Sequence, residues 1–194
     1  MLFPQSPPLS RIPADAPRLM ADPQFRQKLY RAMVRLAEES GMTPSTLFVV
    51  NITLSDGYHV AGGTYADIYK GMLEGQPVAV KRMRTFLGQS EDQLELTRKG
   101  LCKETLIWFH LDHPNLLPLC GINRDLFPGS FCLVSPWTQF GNIQHFLETE
   151  GNKCDEVIVR LVKEILTGLC YLHTENIVHG DLRPANILII KMDA

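Results

Sequence analysis

The strongest constraint on this chain is a ten-residue segment, HGDLRPANIL, at positions 179–188. Within it Asp181 and Asn186 lie five residues apart. On a tight loop, a carboxylate can accept the proton of a substrate hydroxyl, and an amide oxygen can ligate a metal ion. The preceding residues 156–172 carry apolar side chains at helical spacing, and Asp155 suits the N-cap position. The sequence therefore predicts a polar loop directly after an amphipathic helix.

The first half of the chain has the pattern of short strands interrupted by one long helix. Runs of β-branched and aromatic residues alternate with Asp-Gly, Gly-Gly and Glu-Gly turns, which is typical of strands. Ser90 and Gln93 match a capping box, so a helix is predicted over 91–111. Strands followed by helices favour an α+β fold with two lobes. Strands are predicted at 48–53, 66–71, 77–81, 116–122, 131–135 and 187–190, and further helices at 22–40 and from 142.

Two features of the strand region are compatible with phosphate binding. The small residues AGG at 61–63 would let backbone N–H groups approach a phosphate closely, although Gly-Gly is also an ordinary hairpin turn. Lys81 ends the alternating strand VAVK. Such a lysine is either a solvated edge charge or, 18 residues after Gly63 across a hairpin, a group that faces phosphate.

Glu104 is the third candidate, on the predicted long helix. It lies three residues after Leu101 and four before Trp108, beside the apolar stripe formed by Leu94, Leu101 and Trp108. A carboxylate on the inward side of a helix needs a cation, and Lys81 is the obvious one.

Taken in this order, the four segments resemble the eukaryotic protein kinase domain, over roughly residues 51–194. HPN at 113–115, LVS at 133–135 and GNI at 141–143 fit the same pattern, and the best subgroup match is to the tyrosine-kinase-like serine/threonine kinases. The resemblance implies a complete N-lobe, with an antiparallel sheet and one helix, and the first part of a helical C-lobe. The expected layout is a Pro-rich disordered tail (1–21), an N-terminal helix and linker (22–47), the N-lobe and hinge (48–138) and a partial C-lobe (139–194).

The resemblance also implies roles for individual residues, with ATP and Mg²⁺ as cofactors and protein Ser/Thr hydroxyls favoured over Tyr as substrates. Lys81 pairs with the ATP phosphates and with Glu104. Asp181 is the catalytic base, Asn186 holds magnesium, and Arg183 stands where a Lys often contacts the γ-phosphate. The implied nucleotide contacts are Ala61, Gly62, Gly63, Thr64, Ile68, Ala79, Lys81, the gatekeeper Ser135, Pro136 and Trp137.

Three departures from the family pattern carry expectations of their own. Ala61 and Ala66 replace two loop glycines, which predicts a stiffer phosphate cover. Gly180 replaces the Arg of H-R-D, which removes the usual partner of a phosphorylated activation loop. No D-F-G follows Asn186 in the sequence. The resemblance is therefore to a kinase domain truncated before that motif, and we expect this chain alone to be inactive.

A non-catalytic alternative remains open at this stage. A pseudokinase-like module would bind nucleotide or a protein partner without transferring phosphate. The helix at 156–172 has apolar residues on more than one side, so its uncovered face is the predicted surface for such a partner.

Composition narrows the remaining function classes. The net charge of −2 argues against a nucleic-acid partner or a polybasic membrane patch. The five Cys residues include no C-x-x-C pair, which favours reduced thiols. No apolar run approaches the ~20 residues that span a bilayer. We therefore expect a cytoplasmic protein.

Overall fold

The structure is a computed structural model that describes residues 23–62, 66–84, 90–149 and 155–190, without the side chains of 23–27 and 94. The expected disordered tail at 1–21 lies outside the described residues. The chain divides into two compact units. Unit 1 comprises Met1–Leu111 and Pro118–Pro136, and unit 2 comprises Asp112–Leu117 and Trp137–Ala194. Antiparallel strands in one unit and helices in the other confirm the α+β class.

Unit 1 is built on a six-stranded sheet in the order β1-β3-β4-β6-β5, with β2 also paired to β3. All of its named strand pairs are antiparallel. The turn between β3 and β4 uses Glu74 and Gly75, both at positive φ, as a tight hairpin requires. The strands are β1 (Thr53–Leu54), β2 (Ala61–Gly62), β3 (Ala66–Leu73), β4 (Gln76–Met83), β5 (Gly121–Asn123) and β6 (Cys132–Pro136).

One face of this sheet is covered by an apolar cluster. Val78 and Val80 alternate along β4 and are almost fully buried, as are Cys132 and Val134 on the neighbouring β6. Because successive strand side chains point to opposite faces, the intervening residues Ala79 and Lys81 belong to the other face. The remaining buried members of the cluster are Ile52 and Tyr69.

The described residues of unit 1 also form two α-helices, α1 (Pro23–Ser40) and α2 (Glu91–His110), and a 3₁₀ turn at Ser45–Leu47. The predicted capping box is confirmed, since the Ser90 hydroxyl accepts from the Gln93 backbone N–H and the Gln93 side chain accepts from the Ser90 N–H. In the second core cluster, Ala37 of α1 is buried with Cys102 and Leu106 of α2.

The predicted apolar stripe of α2 was wrong in its position. Leu101 and Trp108 are only half-buried, and the buried side chains are those of Cys102, Thr105 and Leu106. The reason is that α1 packs along α2, and small side chains allow the two helices to approach closely.

Unit 2 contains α3 (Ile143–Thr149) and α4 (Asp155–Thr174). Its core is formed by Phe146, Leu161 and Ile189, which are all buried. The other face of α4 is apolar but exposed: Val159, Val162 and Leu166 keep about half of their surface in solvent.

Three predicted strands are shorter than expected. The segment 48–53 reduces to β1 and one bridge at Phe48, because Asn51 takes φ +60°, which no strand allows. The segment 116–122 reduces to β5, because Pro118 cannot donate to a ladder. At 187–190, Leu188 makes a single bridge to Asn142.

Candidate functional site

Five of the residues implied as nucleotide contacts share one face of the unit 1 sheet. Ala61 lies opposite Ile68, and Ile68 lies opposite Lys81 on the next strand. Two residues further along β4, Ala79 lies opposite Ser135 of β6. Residues directly opposite each other in antiparallel strands point to the same face, and alternate residues along a strand do too. The register therefore brings Ala61, Ile68, Ala79, Lys81 and Ser135 together.

Two of the other implied contacts lie on the opposite face of the sheet. Gly62 lies opposite Asp67 and Pro136 lies opposite Val78, which puts both on the reverse face. Gly63 and Thr64 lie outside the described residues. Trp137 is half-buried and belongs to unit 2.

The local sequence of β4 explains why Lys81 is available on this face. Val78 and Val80 anchor the strand in the core, so Ala79 and Lys81 must face the other way. The small side chain of Ala79 leaves space beside the strand, and Lys81 is exposed. This face thus combines room for a planar group with a cation suited to a phosphate.

Glu104 is carried by α2, which lies on the same side of the sheet as Lys81. Lys81 is opposite Leu133, and Leu133 is opposite Ile122, which packs in one cluster with Leu106 of α2. Both Lys81 and Glu104 are exposed, and no ion pair or hydrogen bond joins them in the described part of the chain. The expected pair is absent in this conformation.

The helical phase of α2 accounts for that absence. At 100° per residue, Glu104 lies about 200° from Cys102 and from Leu106, the two fully buried apolar residues of the helix. Glu104 consequently lies on the side of α2 away from its buried stripe, not turned inward as expected.

In unit 2, Asp181 and Asn186 are held together by direct hydrogen bonds. The Asn186 Nδ2 atom donates to the Asp181 carbonyl oxygen at 2.8 Å and to its carboxylate Oδ2 at 2.8 Å. Pro184 begins a single 3₁₀ turn, Pro184–Asn186, which reverses the chain and brings Asn186 back to Asp181. Two backbone hydrogen bonds anchor the loop. The Ile143 N–H donates to the Ile187 carbonyl oxygen, and the Ile189 N–H donates to the Gly141 carbonyl oxygen.

Two further groups contact Asp181. The Arg183 Nε atom lies 3.3 Å from Asp181 Oδ2, with both side chains more than half exposed. The Asp181 backbone N–H donates to His179 Nδ1 at 3.3 Å. Gly180 between them takes φ +76°, in the left-handed region that favours glycine. The carboxylate is thus oriented by Asn186 and Arg183 while it stays open to solvent.

These groups supply some of the donors that Mg²⁺ requires. The Asn186 amide nitrogen is engaged with Asp181, which leaves its Oδ1 oxygen available to a metal ion. Within residues 23–62, 66–84, 90–149 and 155–190, no group of three His, Cys, Asp or Glu side chains could hold a metal ion. Mg²⁺ in such a setting takes most of its ligands from substrate phosphates and water. The residues therefore fit a nucleotide-borne magnesium ion.

One contact at the start of β3 was missed by sequence reasoning. Arg84 Nη2 lies 2.5 Å from Asp67 Oδ1, and Arg84 Nε donates to Asp67 Oδ2 at 3.1 Å. Asp67 is directly opposite Gly62, and a Cβ atom at Gly62 would lie 3.1 Å from Asp67 Oδ1. Only the strand register brings these residues together, so no local sequence signal could have revealed the pair.

Arg84 also lowers the pKa of the Asp67 carboxyl below its ordinary value of 3.8, chiefly through the side-chain hydrogen bond and in addition through its positive charge. Both groups are therefore ionised at neutral pH. The pair links the end of β4 to the start of β3.

The described residues thus form an antiparallel sheet that carries an exposed lysine and a helical unit that carries an Asp–Asn loop. The protein kinase domain model matches residues 55–194, which is well over half of the chain. The chain belongs to the protein kinase domain family.

Proteins with sequences similar to this chain are also named as protein kinases. Mitogen-activated protein kinase kinase kinase 1 of Homo sapiens is 28% identical over 135 residues, 69% of this chain and 9% of that protein. Serine/threonine-protein kinase VIK of Arabidopsis thaliana is 28% identical over 145 residues, 74% of this chain and 32% of that protein. Mitogen-activated protein kinase kinase kinase 10 of Xenopus laevis is 33% identical over 133 residues, 66% of this chain and 12% of that protein.

The chain therefore spans between about a tenth and a third of the length of these relatives. The relatives are named as kinases, and the pseudokinase alternative is not favoured. As for membranes, the described residues include no helix that is both long enough and apolar enough to span a bilayer.

Proposed function

We propose that this chain provides the ATP-binding and catalytic-loop residues of a protein kinase that phosphorylates Ser/Thr hydroxyls. The observation that carries the proposal is the double hydrogen bond from Asn186 to Asp181. It holds a solvent-open carboxylate in one orientation, which a general base for a substrate hydroxyl needs. The names of the relatives support Ser/Thr as the substrate class.

In this proposal each residue has one task. Ala79 and Ser135 border the adenine, and Lys81 neutralises phosphate charge. Glu104 orients Lys81 when the two pair, so formation of that pair marks the competent conformation. Bound Mg²⁺ would neutralise charge on the phosphates, with Asn186 Oδ1 as its protein ligand.

The catalytic step then follows from the remaining groups. Asp181 accepts the proton of the attacking hydroxyl, whose oxygen forms the bond to the γ-phosphorus while the bond to the ADP oxygen breaks. Arg183 stabilises negative charge, as a guanidinium suits phosphate oxygens. These functions are largely positioning and charge stabilisation.

The thiols support a reducing, intracellular location for this activity. Four cysteines in the described residues are free: Cys102, Cys120, Cys132 and Cys170. Burial raises the pKa of the Cys120 thiol and of the Cys132 thiol to about 11, so neither is a reactive thiolate at neutral pH.

The test starts with nucleotide binding by the 194-residue chain. Thermal melting is measured with and without Mg-ATP for the wild type, Lys81→Met and a control, Lys163→Met. Lys163 is also exposed, but it lies on α4 and is given no role. We expect Mg-ATP to raise the melting temperature of the wild type and the control only. Equal shifts in all three proteins, or none in any, would exclude Lys81 from nucleotide binding.

The second stage measures phosphate transfer from radiolabelled ATP to a generic basic protein substrate, with Asp181→Asn as the comparison. Incorporation that Asp181→Asn abolishes without changing the Mg-ATP melting shift identifies the base. Because no D-F-G follows Asn186 in this sequence, nucleotide binding without any incorporation would mean that the chain binds Mg-ATP but does not transfer phosphate by itself.

A further inference from the structure

We propose that the outer face of α1 is a docking site for an acidic peptide segment of a partner protein. This surface lies apart from the nucleotide face and goes beyond the proposed function. It combines a row of unpaired cations with an adjacent apolar groove.

The cationic stripe consists of Lys28, Arg31 and Arg35. Spacings of three and four residues put these side chains on one face of α1, and all three are exposed. They make no ion pair or hydrogen bond with any described residue. Several other basic side chains of unit 1 are engaged, for example Arg84 with Asp67, Lys99 with Glu95 and Lys103 with Glu38. Unpaired positive charge thus runs along α1 from Lys28 to Arg35, and the carboxylate of Glu39 lies at the end of the same surface.

An apolar groove, the α1 groove, continues from this stripe. Leu36 borders both, and it is 64% exposed, while Met42 is 66% exposed. The cavity has a volume of about 280 Å³, enough for one or two large side chains. It is lined by Met33, Leu36, Ala37, Ser40, Met42, Thr43 and Pro44.

The docking surface is held rigidly on unit 1. Ala37 is 2% exposed against α2, and Lys103 Nζ lies 2.8 Å from Glu38 Oε1. The Arg98 guanidinium donates to the Gly41 carbonyl at 2.8 Å, which fixes the end of α1. A ligand would therefore meet a preformed surface and lose little free energy to ordering it.

Charge and geometry favour an acidic peptide over an anionic membrane. Met33, Val34 and Ala37 on the apolar side of α1 pack in the cluster with α2, so they are not free to insert into lipid as the apolar face of an interfacial helix does. Three cations are also fewer than the roughly four to eight Lys or Arg residues that typically form a binding site for anionic lipids. Carboxylates along one side of a peptide match the stripe, and one or two apolar anchors match the groove.

The experiment measures fluorescence polarisation of a labelled probe peptide, Glu-Glu-Leu-Glu-Glu-Glu-Leu-Glu-Glu, with the full chain. A neutral probe carries Gln in place of every Glu. The test variant is Lys28→Glu/Arg31→Glu/Arg35→Glu, and the matched control is Lys163→Glu, an exposed and unpaired lysine on α4. Because all of these side chains are exposed, we expect each variant to melt at the wild-type temperature.

We expect the acidic probe to bind the wild type and the control, more weakly as NaCl is raised, and the triple variant to bind at least about tenfold more weakly. Leu36→Ser should weaken binding without changing its salt dependence. Equal binding of the two probes, undiminished binding by the triple variant, or capture by phosphatidylserine vesicles with no peptide binding would each overturn the proposal. If the triple variant fails to fold, the single variant Arg31→Gln is tested instead. We expect it to bind the acidic probe measurably more weakly than the wild type does, and unchanged binding would overturn the proposal.

Discussion

Asn186 is bonded to Asp181 twice, once at the main chain and once at the carboxylate, each at 2.8 Å. One amide group therefore fixes both the backbone and the side chain of the residue on which catalysis would depend. The same arrangement occupies the nitrogen of Asn186 and leaves its oxygen for a metal ion. The two residues form one functional unit.

The first prediction concerns the magnesium dependence of nucleotide binding. In Asn186→Ala, ATP should bind about as well as in the wild type without Mg²⁺, but Mg²⁺ should strengthen binding less. The cost to stability should be small, about 0.5–1.5 kcal/mol, because the lost hydrogen bonds are exposed. Isothermal titration with and without Mg²⁺ measures the difference, and an undiminished magnesium effect would exclude Asn186 as a ligand.

Replacing either of two glycines by alanine should change the stability of the fold, but in opposite directions. Gly121 takes φ +153°, and a Cβ there would lie 2.5 Å from the Leu47 carbonyl oxygen, so Gly121→Ala should cost at least about 1–2 kcal/mol. Gly100 is inside α2 with nothing within 4 Å of the added atom, so Gly100→Ala should stabilise by about 0.5–1 kcal/mol. Melting temperatures that move in the same direction would contradict this reading of the two sites.

The Asp67–Arg84 pair should contribute to acid stability. The hydrogen bond from Arg84 lowers the folded-state pKa of Asp67, so its stabilisation is present above the unfolded-state value, near 3.9, and is lost as the pH falls toward the folded value. Urea unfolding at about pH 6 and about pH 3 should show a larger loss for the wild type than for Asp67→Asn. Arg84→Gln should reproduce the smaller loss, whereas an unchanged pH response would argue that the pair is not formed in solution.

Attachment of α1 to α2 can be measured through Glu38 and Lys103. Both side chains are about half exposed, so a double-mutant cycle with glutamine should give a coupling free energy of about 0.2–1 kcal/mol. Reversal of both charges should restore most of the stability lost by reversing either one. Lys99→Gln, which breaks the i,i+4 pair within α2, provides a control that leaves α1 attached. Additive effects at Glu38 and Lys103 would mean that the two helices do not touch there.

Thiol labelling should separate exposed from buried cysteines. In a Cys154→Ser background, maleimide should modify Cys170, which is exposed, and leave Cys102 and Cys132 unmodified in the folded chain. Burial raises the pKa of both protected thiols, which lowers their reactivity further. Mass spectrometry after proteolysis identifies the modified positions, and labelling of Cys132 at the rate of Cys170 would mean that the unit 1 core is open.

Local sequence signals predicted the local features well. The capping box at Ser90, the helical spacing before the 179–188 loop and the alternation along β4 each depend on neighbours within a few residues, and each is present in the structure. The resemblance to the kinase family rested on the same short segments, and the family match confirms it.

Features that depend on distant partners were harder to predict. The buried stripe of α2 was misplaced because the sequence does not reveal that α1 packs against the cluster of Cys102 and Leu106. The predicted strand at 48–53 is interrupted at Asn51, which adopts a positive φ that the neighbouring sequence does not require. The Asp67–Arg84 contact depends on a register that joins three strands, so pattern alone could not predict it.

The close contact between α1 and α2 has a consequence for how this sequence can diverge. At this contact Ala37, which is 2% exposed, lies in one buried cluster with Cys102 and Leu106. A larger side chain that points into this cluster would displace its neighbours, so it would be retained best with a compensating change at another of these positions. Among homologues that keep the helix, positions 37, 102 and 106 should therefore covary in side-chain volume.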